Sequence, residues 1–551
     1  MAERLLRMQG TSIELTELSY WYEDVEQPAL RGVSLTIPAG QFTAVIGPGG
    51  SGKSTLCQLL SGYLPRSGGG RREGKVQLDT IDPAEAPIAE IAKVAGIVFQ
   101  DPDAQLVRGV VEDEAAFGPE NLRVPPAEIE SRVAEALAAV NLTARRRSPV
   151  RELSGGQRQR TAIAAVLSLS PRMIVFDDAS ASLDPAAQAQ FVQLCRRLHA
   201  EGRTVVTVSG RFDDAARAAE RVIVLDGGAV LLDGAPQELL RTSRDRLAQL
   251  GVLPPWEGAA EAGGPAGGRR EVAEAGAHAA EPAVGPLQSA GMVTAPAQRP
   301  PGADGPGGDS ASGPLLEVRN LSYTYPGGQE ALRDVSFAMH PGAWGMLTGE
   351  NGSGKTTLTR LLMGLLPVPS RSVYWKGRDV SDMPVHQLAG DIGYVFQQPE
   401  HQFVEHTVWD ELVYGLRIQS GWRRRQAELT PEQTEAAEAL LAAAGLSGRR
   451  QDSPYLLSQG EKKLLSVIGQ LIQPKALYIL DEPTSGIDYR AAQRLLKLCR
   501  GAAARGAALL MITHDPRLVE EDASFVLRLD QGKVEDYRQL GRNHGLIHVR
   551  S

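Results

Sequence analysis

Two stretches of this chain set glycines, a lysine and a hydroxyl at a spacing suited to holding phosphate. Gly47-Pro48-Gly49-Gly50-Ser51-Gly52-Lys53-Ser54-Thr55 and Gly349-Glu350-Asn351-Gly352-Ser353-Gly354-Lys355-Thr356-Thr357 both satisfy GxxxxGK[ST]. Each follows an apolar, strand-like run, Phe42–Ile46 and Trp344–Thr348. At that spacing, backbone N–H groups at a helix N-terminus wrap a triphosphate. The lysine reaches the outer phosphates, and the hydroxyl of Ser54 or Thr356 holds magnesium. One such loop can be a glycine turn that binds nothing; two in register within one chain are a repeat.

The repeat extends well past the loops. Val98-Phe99-Gln100, Leu153-Ser154-Gly155-Gly156-Gln157, Met173 to Asp177-Asp178 and Ser182-Leu183-Asp184 follow the first loop in that order. Val395-Phe396-Gln397, Leu457-Ser458-Gln459-Gly460-Glu461, Leu477 to Asp481-Glu482, Gly486-Ile487-Asp488 and Thr513-His514 follow the second. An apolar strand ending in aspartate places Asp177 or Asp481 beside a magnesium ion, and the next carboxylate can polarise an attacking water. Serine and glycines opening a helix, as at Ser154 and Ser458, favour an anion through hydroxyl, N–H groups and dipole.

The set, and above all an LSGGQ element about twenty residues before the acidic strand end, resembles the ATP-binding cassette (ABC) ATPases. The resemblance covers nearly the whole chain outside its middle. It implies an α/β fold: two P-loop nucleotide-binding domains, each with a RecA-like, mainly parallel sheet core, an antiparallel β subdomain and an inserted helical subdomain. It implies ATP and Mg2+ as ligands, with Gln100 and Gln397 touching the metal or water and Tyr22 and Tyr325 stacking on adenine. It also implies that Ser154, Gly155, Gly156 and Gln157 of one half, and Ser458 and Gly460 of the other, serve the nucleotide held by the opposite half. Two ATPs would then be sandwiched head to tail. Period two makes Tyr20 and Tyr323 the inward neighbours of the stacking tyrosines.

The elements that must position these residues follow from pattern. Short apolar runs at Val33–Ile37, Ile97–Phe99, Met173–Phe176, Thr204–Val208 and Val222–Leu225 read as strands alternating with helices. Pro126–Val140 and Glu432–Ala444 read as inserted helices. Domains are expected at 11–253 and 315–540. The intervening 254–314, dominated by Ala, Gly, Pro, Glu and Ser, reads as a flexible linker with an r.m.s. span of roughly 40 Å. A net charge of -8, from 58 basic and 66 acidic residues, gives no electrostatic reason to expect a nucleic-acid partner. No run of about 18 apolar residues or signal-peptide core is present, so a cytoplasmic protein, peripheral to the membrane, is expected. Cys195 and Cys499 occupy matching helix positions and read as core residues. Arg145-Arg146-Arg147 and Arg423-Arg424-Arg425 read as solvated surface, and His401 and His406 lack the companions of a metal site.

The stretches after the two glutamines narrow the resemblance. Phe99 to Val107 with Val111 to Leu122, and Phe396 to Val404 with Trp409 to Leu416, are similar to the energy-coupling factor (ECF) ATPases. That subfamily drives vitamin and metal-ion uptake by docking on a transmembrane coupling protein, which works with a substrate-binding membrane protein. Two alternatives stand beside it: a tandem ABC ATPase acting on ribosomes or nucleic acid, and a nucleotide-binding module without turnover. The first would carry a charged helical linker, and Glu482 and His514 argue against the second.

The copies also differ. From the signature onward they align without gaps at a separation of 304: Ser154 with Ser458, Asp177 with Asp481. Glu482 then maps to Asp178 and His514 to Gly210, while the second signature reads Leu-Ser-Gln-Gly-Glu. Under head-to-tail pairing every departure falls on one composite site, built on Lys53, Ser54, Asp177 and Ser458. The other, built on Lys355, Thr356, Asp481, Glu482, His514 and Ser154, is the one expected to hydrolyse ATP, with Gln397 as a further catalytic residue.

Overall fold

The computed structural model describes residues 10–23, 25–181, 183–254, 313–419, 428–518, 520–540 and 546–547. Most of the expected linker, Ser182 and the arginine run 423–425 lie outside these residues.

Each half is organised around a central strand, buried throughout in the first half and up to the half-buried Thr348 in the second. Phe42–Ile46 and Trp344–Thr348 are flanked on both sides by parallel neighbours, which is why they read as unbroken apolar runs. In the first half the sheet order is Ala95–Val98, Met173–Asp177, Thr204–Ser209, Phe42–Ile46, Arg221–Asp226 and Ala229–Gly234, with only the last strand antiparallel. The second half repeats the order as Ile392–Val395, Leu477–Asp481, Ala508–Ile512, Trp344–Thr348, Phe525–Asp530 and Lys533–Leu540. A short strand, Leu546–Ile547, extends that sheet past residue 540. A separate antiparallel sheet centres on Ile13–Trp21 in one half and Leu316–Thr324 in the other. The fold class is the one expected, α/β with a mainly parallel core and an antiparallel subdomain in each half.

Side-chain alternation divides each core in two. Phe42, Ala44, Ile46, Ile174 and Phe176 face the helices Pro185–Ala200 and Gly155–Leu167. Val45, Val175, Val206 and Val208 face the antiparallel sheet and the helix Lys53–Leu60. Phe176 is 1% exposed and meets Phe191 edge-on at 5.0 Å. Phe176→Ala is expected to cost the first half about 3–5 kcal/mol. Scanning calorimetry should show the transition of that half moving down while that of the second half stays in place.

The inserted helices are Val111–Asn121 and Pro126–Ala139, against Val408–Gln419 and Pro431–Ala444. They pack on the helices Gly155–Leu167 and Gln459–Leu471 and so set the direction in which the signature serines point. Strands reach past the expected limits at Leu30, Ala95, Asp177, Ser209, Arg221 and Asp226, and one stops short: the strand expected to run to Phe99 ends at Val98. The Phe99 N–H donates to Gln105 Oε1 at 3.1 Å and leaves the ladder, so Gln100 starts a loop.

Candidate nucleotide and active sites

The glycine-rich loops leave the C-terminal ends of the central strands and run into Lys53–Leu60 and Lys355–Leu362. Gly52 and Gly354 have φ of 95° and 102°, and a Cβ there would lie 2.6 Å from Ala29 O and 2.7 Å from Ala331 O. Only glycine fits either position. Lys53 Nζ donates to Gly47 O at 2.7 Å and Pro48 O at 2.8 Å; Lys355 Nζ donates to Gly349 O at 2.7 Å and Glu350 O at 2.8 Å. Both lysines are thereby held within their loops. Nothing stands within 4 Å of a Cβ built on Gly50 or Gly352, and Ser353 Oγ is buried without a partner. Open space before the loop glycines and an unpaired hydroxyl fit a phosphate group. Tyr22 and Tyr325 flank the same helices, their hydroxyls 3.0 Å from Thr55 Oγ1 and 3.1 Å from Thr357 Oγ1. Tyr20 is fully buried behind Tyr22, whereas Tyr323 is only half-buried.

Asp177 and Asp481 end buried strands beside these loops. Burial pushes both carboxyls up to about 6; hydrogen bonding from Ser54 and the Lys53 charge oppose the shift at Asp177. Ser54 is therefore placed where a shared metal would need it, and the donor set of hydroxyl plus carboxylate suits Mg2+. Asp481 also accepts from the Tyr394 hydroxyl at 3.1 Å.

The next residues, Asp178 and Glu482, have φ of 50° and 49°, a left-handed turn that aims each carboxylate away from the strand. Gln397 Nε2 donates to Glu482 Oε2 at 3.0 Å, and His514 Nε2 lies 2.8 Å from Glu482 Oε1. Lys463 Nζ donates to Glu482 O at 2.6 Å. Burial pushes the Glu482 carboxyl up, but His514, Lys463 and Lys355 outweigh it and bring it below the usual range. Gln100 Nε2 donates to Asp178 Oδ2 at 3.2 Å. There burial, then the Asp177 charge, push the carboxyl up to about 7. Gly210 brings no side chain to this place.

The halves face each other across the loops. Gly49 N–H donates to Asp488 Oδ2 at 2.8 Å, and Asn351 N–H to Asp184 Oδ2 at 3.2 Å. A Cβ on Gly49 would lie 3.4 Å from Ser458 Oγ, and one on Gly156 would lie 3.1 Å from Asn351 Nδ2. Each loop therefore stands opposite the signature of the other half. Ser154 caps its helix in a reciprocal box with Gln157. Ser458 does the same with Glu461, but its hydroxyl also donates to Glu461 Oε2 at 2.8 Å.

Sequence reading missed Asp184 and Asp488 as links between the halves, and Lys463, Tyr394 and Arg211 altogether. Lys463 maps to Gln159 and Arg211 to Asp515 at the same separation of 304, so changed polarity at equivalent positions was the available signal. Cys57, Cys195 and Cys499 are buried, Arg146 is paired with Glu112 and Glu130, and His401 and His406 are exposed. Among the described residues there is no cluster of metal-ligating side chains, nor a helix long and apolar enough to cross a membrane.

The chain is similar to known proteins along most of its length. The family model described as ABC transporter matches residues 30–181 and 332–485. A candidate ABC transporter ATP-binding protein of Caldanaerobacter subterraneus subsp. tengcongensis is 32% identical over 97% of this chain and 92% of its own length. A candidate HMP/thiamine import ATP-binding protein of Bacillus subtilis, YkoD, is 33% identical over 95% of this chain and 91% of its own. The solved structure of cbiO1 from Clostridium perfringens, part of the ABC transporter complex cbiONQ, shares 32% identity over 43% of this chain and 95% of its own, with a TM-score of 0.38.

Proposed function

The chain belongs to the ABC transporter family and is an ATPase carrying two of its domains; on that premise we propose that it is the motor of an ECF-type importer, with one hydrolysing and one degenerate composite site. The observation that carries the asymmetry is the cluster at Glu482. Gln397 and His514 hold its carboxylate from two sides, and its counterpart Asp178 has a shorter side chain with Gly210 opposite. At the second site Lys355 and the loop N–H groups hold the outer phosphates, Glu482 orients water and accepts its proton, and His514 keeps that carboxylate ionised. Ser154 closes the site from the other half. Mg2+, held by Thr356, Asp481 and Gln397, would neutralise charge on the phosphate oxygens. At the first site Lys53, Ser54, Asp177 and Gln100 retain what binding needs.

Support for import comes from the sequence stretches after Gln100 and Gln397 and from YkoD, whose name assigns it to HMP/thiamine import. A vitamin or metal ion is the class of cargo, recognised by separate membrane proteins. A docking face is available: Val107 and Val404, equivalent residues, are 63% and 57% exposed, and Leu456 is 70% exposed. Tyr455 beside it donates its hydroxyl to Phe403 O at 3.1 Å, so these apolar groups form one patch in the second half. Val404→Glu with Leu456→Glu is expected to leave ATP binding intact and to remove the protein from membranes and from its co-purifying membrane partners. Retention of those partners would overturn this docking face. Co-purification with ribosomes instead of membrane proteins would favour the non-transport alternative.

A further inference from the structure

The two composite sites differ in a contact that uses none of the groups assigned to ATP. Arg211 and Asp515 are equivalent residues, one past Gly210 and His514. Arg211 crosses between the halves: its Nε donates to Ile487 O at 2.6 Å and its Nη2 to Thr484 O at 2.7 Å. Its guanidinium also lies over the Tyr489 ring, 4.4 Å from the centroid. Arg211 thus grips both ends of the turn that delivers Asp488 to the Gly49 N–H. The same turn brings Gly486 within reach of Gln100 and Asp178. Beyond the turn, Tyr489 N–H donates to Gly251 O at 2.7 Å, and Arg490 hydrogen-bonds Gln249 O.

The equivalent contact on the other side is built differently. A carboxylate accepts only, so Asp515 has no means of holding the carbonyl groups of the first half's turn. Its Oδ1 pairs with Arg517 at 3.3 Å, and its other oxygen lies 4.0 Å from Arg211. Pro185 and Ala186 stand where the second half has Tyr489 and Arg490, which removes the ring and the second arginine.

We propose that Arg211 is a positioning residue that latches the halves together at the first composite site without nucleotide, so that ATP-driven opening and closing is confined to the second. The proposal rests on the composite-site reading above. Short, charge-assisted hydrogen bonds to carbonyls and a cation–π contact are suited to a standing hold. The same pair makes the fit selective for unlike halves. Two first halves would oppose Arg211 to Arg211, and two second halves Asp515 to Asp515.

Distance measurement by pulsed electron resonance on the full chain tests this. The native cysteines are buried and compete little for a spin label. Arg31→Cys with Glu435→Cys spans the first site, and Arg333→Cys with Ser131→Cys spans the second at equivalent, exposed positions. Without nucleotide the 31–435 pair is expected to give one narrow distance, unchanged by a non-hydrolysable ATP analogue. The 131–333 pair should be broad and should narrow with the analogue. Arg211→Ala is expected to raise the open population at the first site by roughly tenfold or more, with Arg211→Lys intermediate. A narrow 31–435 distance in Arg211→Ala, wild-type closure in Arg211→Lys, or equal breadth at both sites in the native chain would each overturn the latch. Failure of the 131–333 pair to respond to the analogue would overturn the composite-site reading and the latch with it.

Discussion

Glu482→Gln is expected to lower ATP turnover about 10²-fold or more, while Asp178→Asn lowers it less than about threefold. Glutamine keeps the shape of glutamate and can still meet Gln397 and His514, so the loss reports removal of a proton acceptor, not a collapsed site. Asp178 has less to lose. Its carboxylate is withdrawn by one carbon–carbon bond, ~1.5 Å, relative to Glu482, and a misplacement of about 1 Å costs on the order of a hundredfold. Gly210 adds no imidazole to keep it ionised, and burial beside Asp177 pushes its carboxyl up to about 7. Single-turnover hydrolysis on the full chain measures both variants. Equal losses would refute the asymmetry, and intact binding of labelled ATP would show that each variant remains folded.

The parts of these sites legible in the sequence are those where backbone geometry leaves one residue type. Gly52 and Gly354 are fixed by positive φ and by a carbonyl under 3 Å from any Cβ; Asp177 and Asp481 close apolar strands that only a parallel sheet explains. Motif spacing was enough to find them. Arg211 and Lys463 were legible only as a change of polarity between equivalent positions, because what defines them is an acceptor outside the local pattern: Ile487 O, 276 residues away, and Glu482 O, 19 residues away. Neither lies in a motif. Lys463 is buried, which depresses its ammonium to about 8 against the pull of Glu482 and Asp481, and nothing local in Glu461-Lys462-Lys463-Leu464 signals that environment. The strand end at Val98 was misjudged for a similar reason, since the Gln105 side chain takes the Phe99 N–H.

Exchange of the signature serines should separate the two sites as sharply as exchange of the carboxylates. Both serines are helix N-caps, so alanine would weaken both helices by about 1 kcal/mol and confuse stability with turnover. Glycine caps nearly as well, at a cost of a few tenths of a kcal/mol, and removes only the hydroxyl. Ser154 Oγ accepts from the Gln157 N–H at 3.3 Å, which leaves its own hydrogen for an anion on the opposite loop, near Asn351. The Ser458 hydroxyl already donates to Glu461 at 2.8 Å, and that carboxylate adds negative charge where phosphate would approach. Removing one donor aimed at developing charge costs roughly 10²-fold. Ser154→Gly is therefore expected to lower turnover by about that factor, and Ser458→Gly by less than about twofold, with matched thermal unfolding of the two variants. Because Ser154 belongs to the half lacking the glutamate and histidine, a large loss from Ser154→Gly would also establish that hydrolysis at Glu482 depends on the other half of the chain. The reverse ranking would place the working site on Lys53 and overturn the assignment.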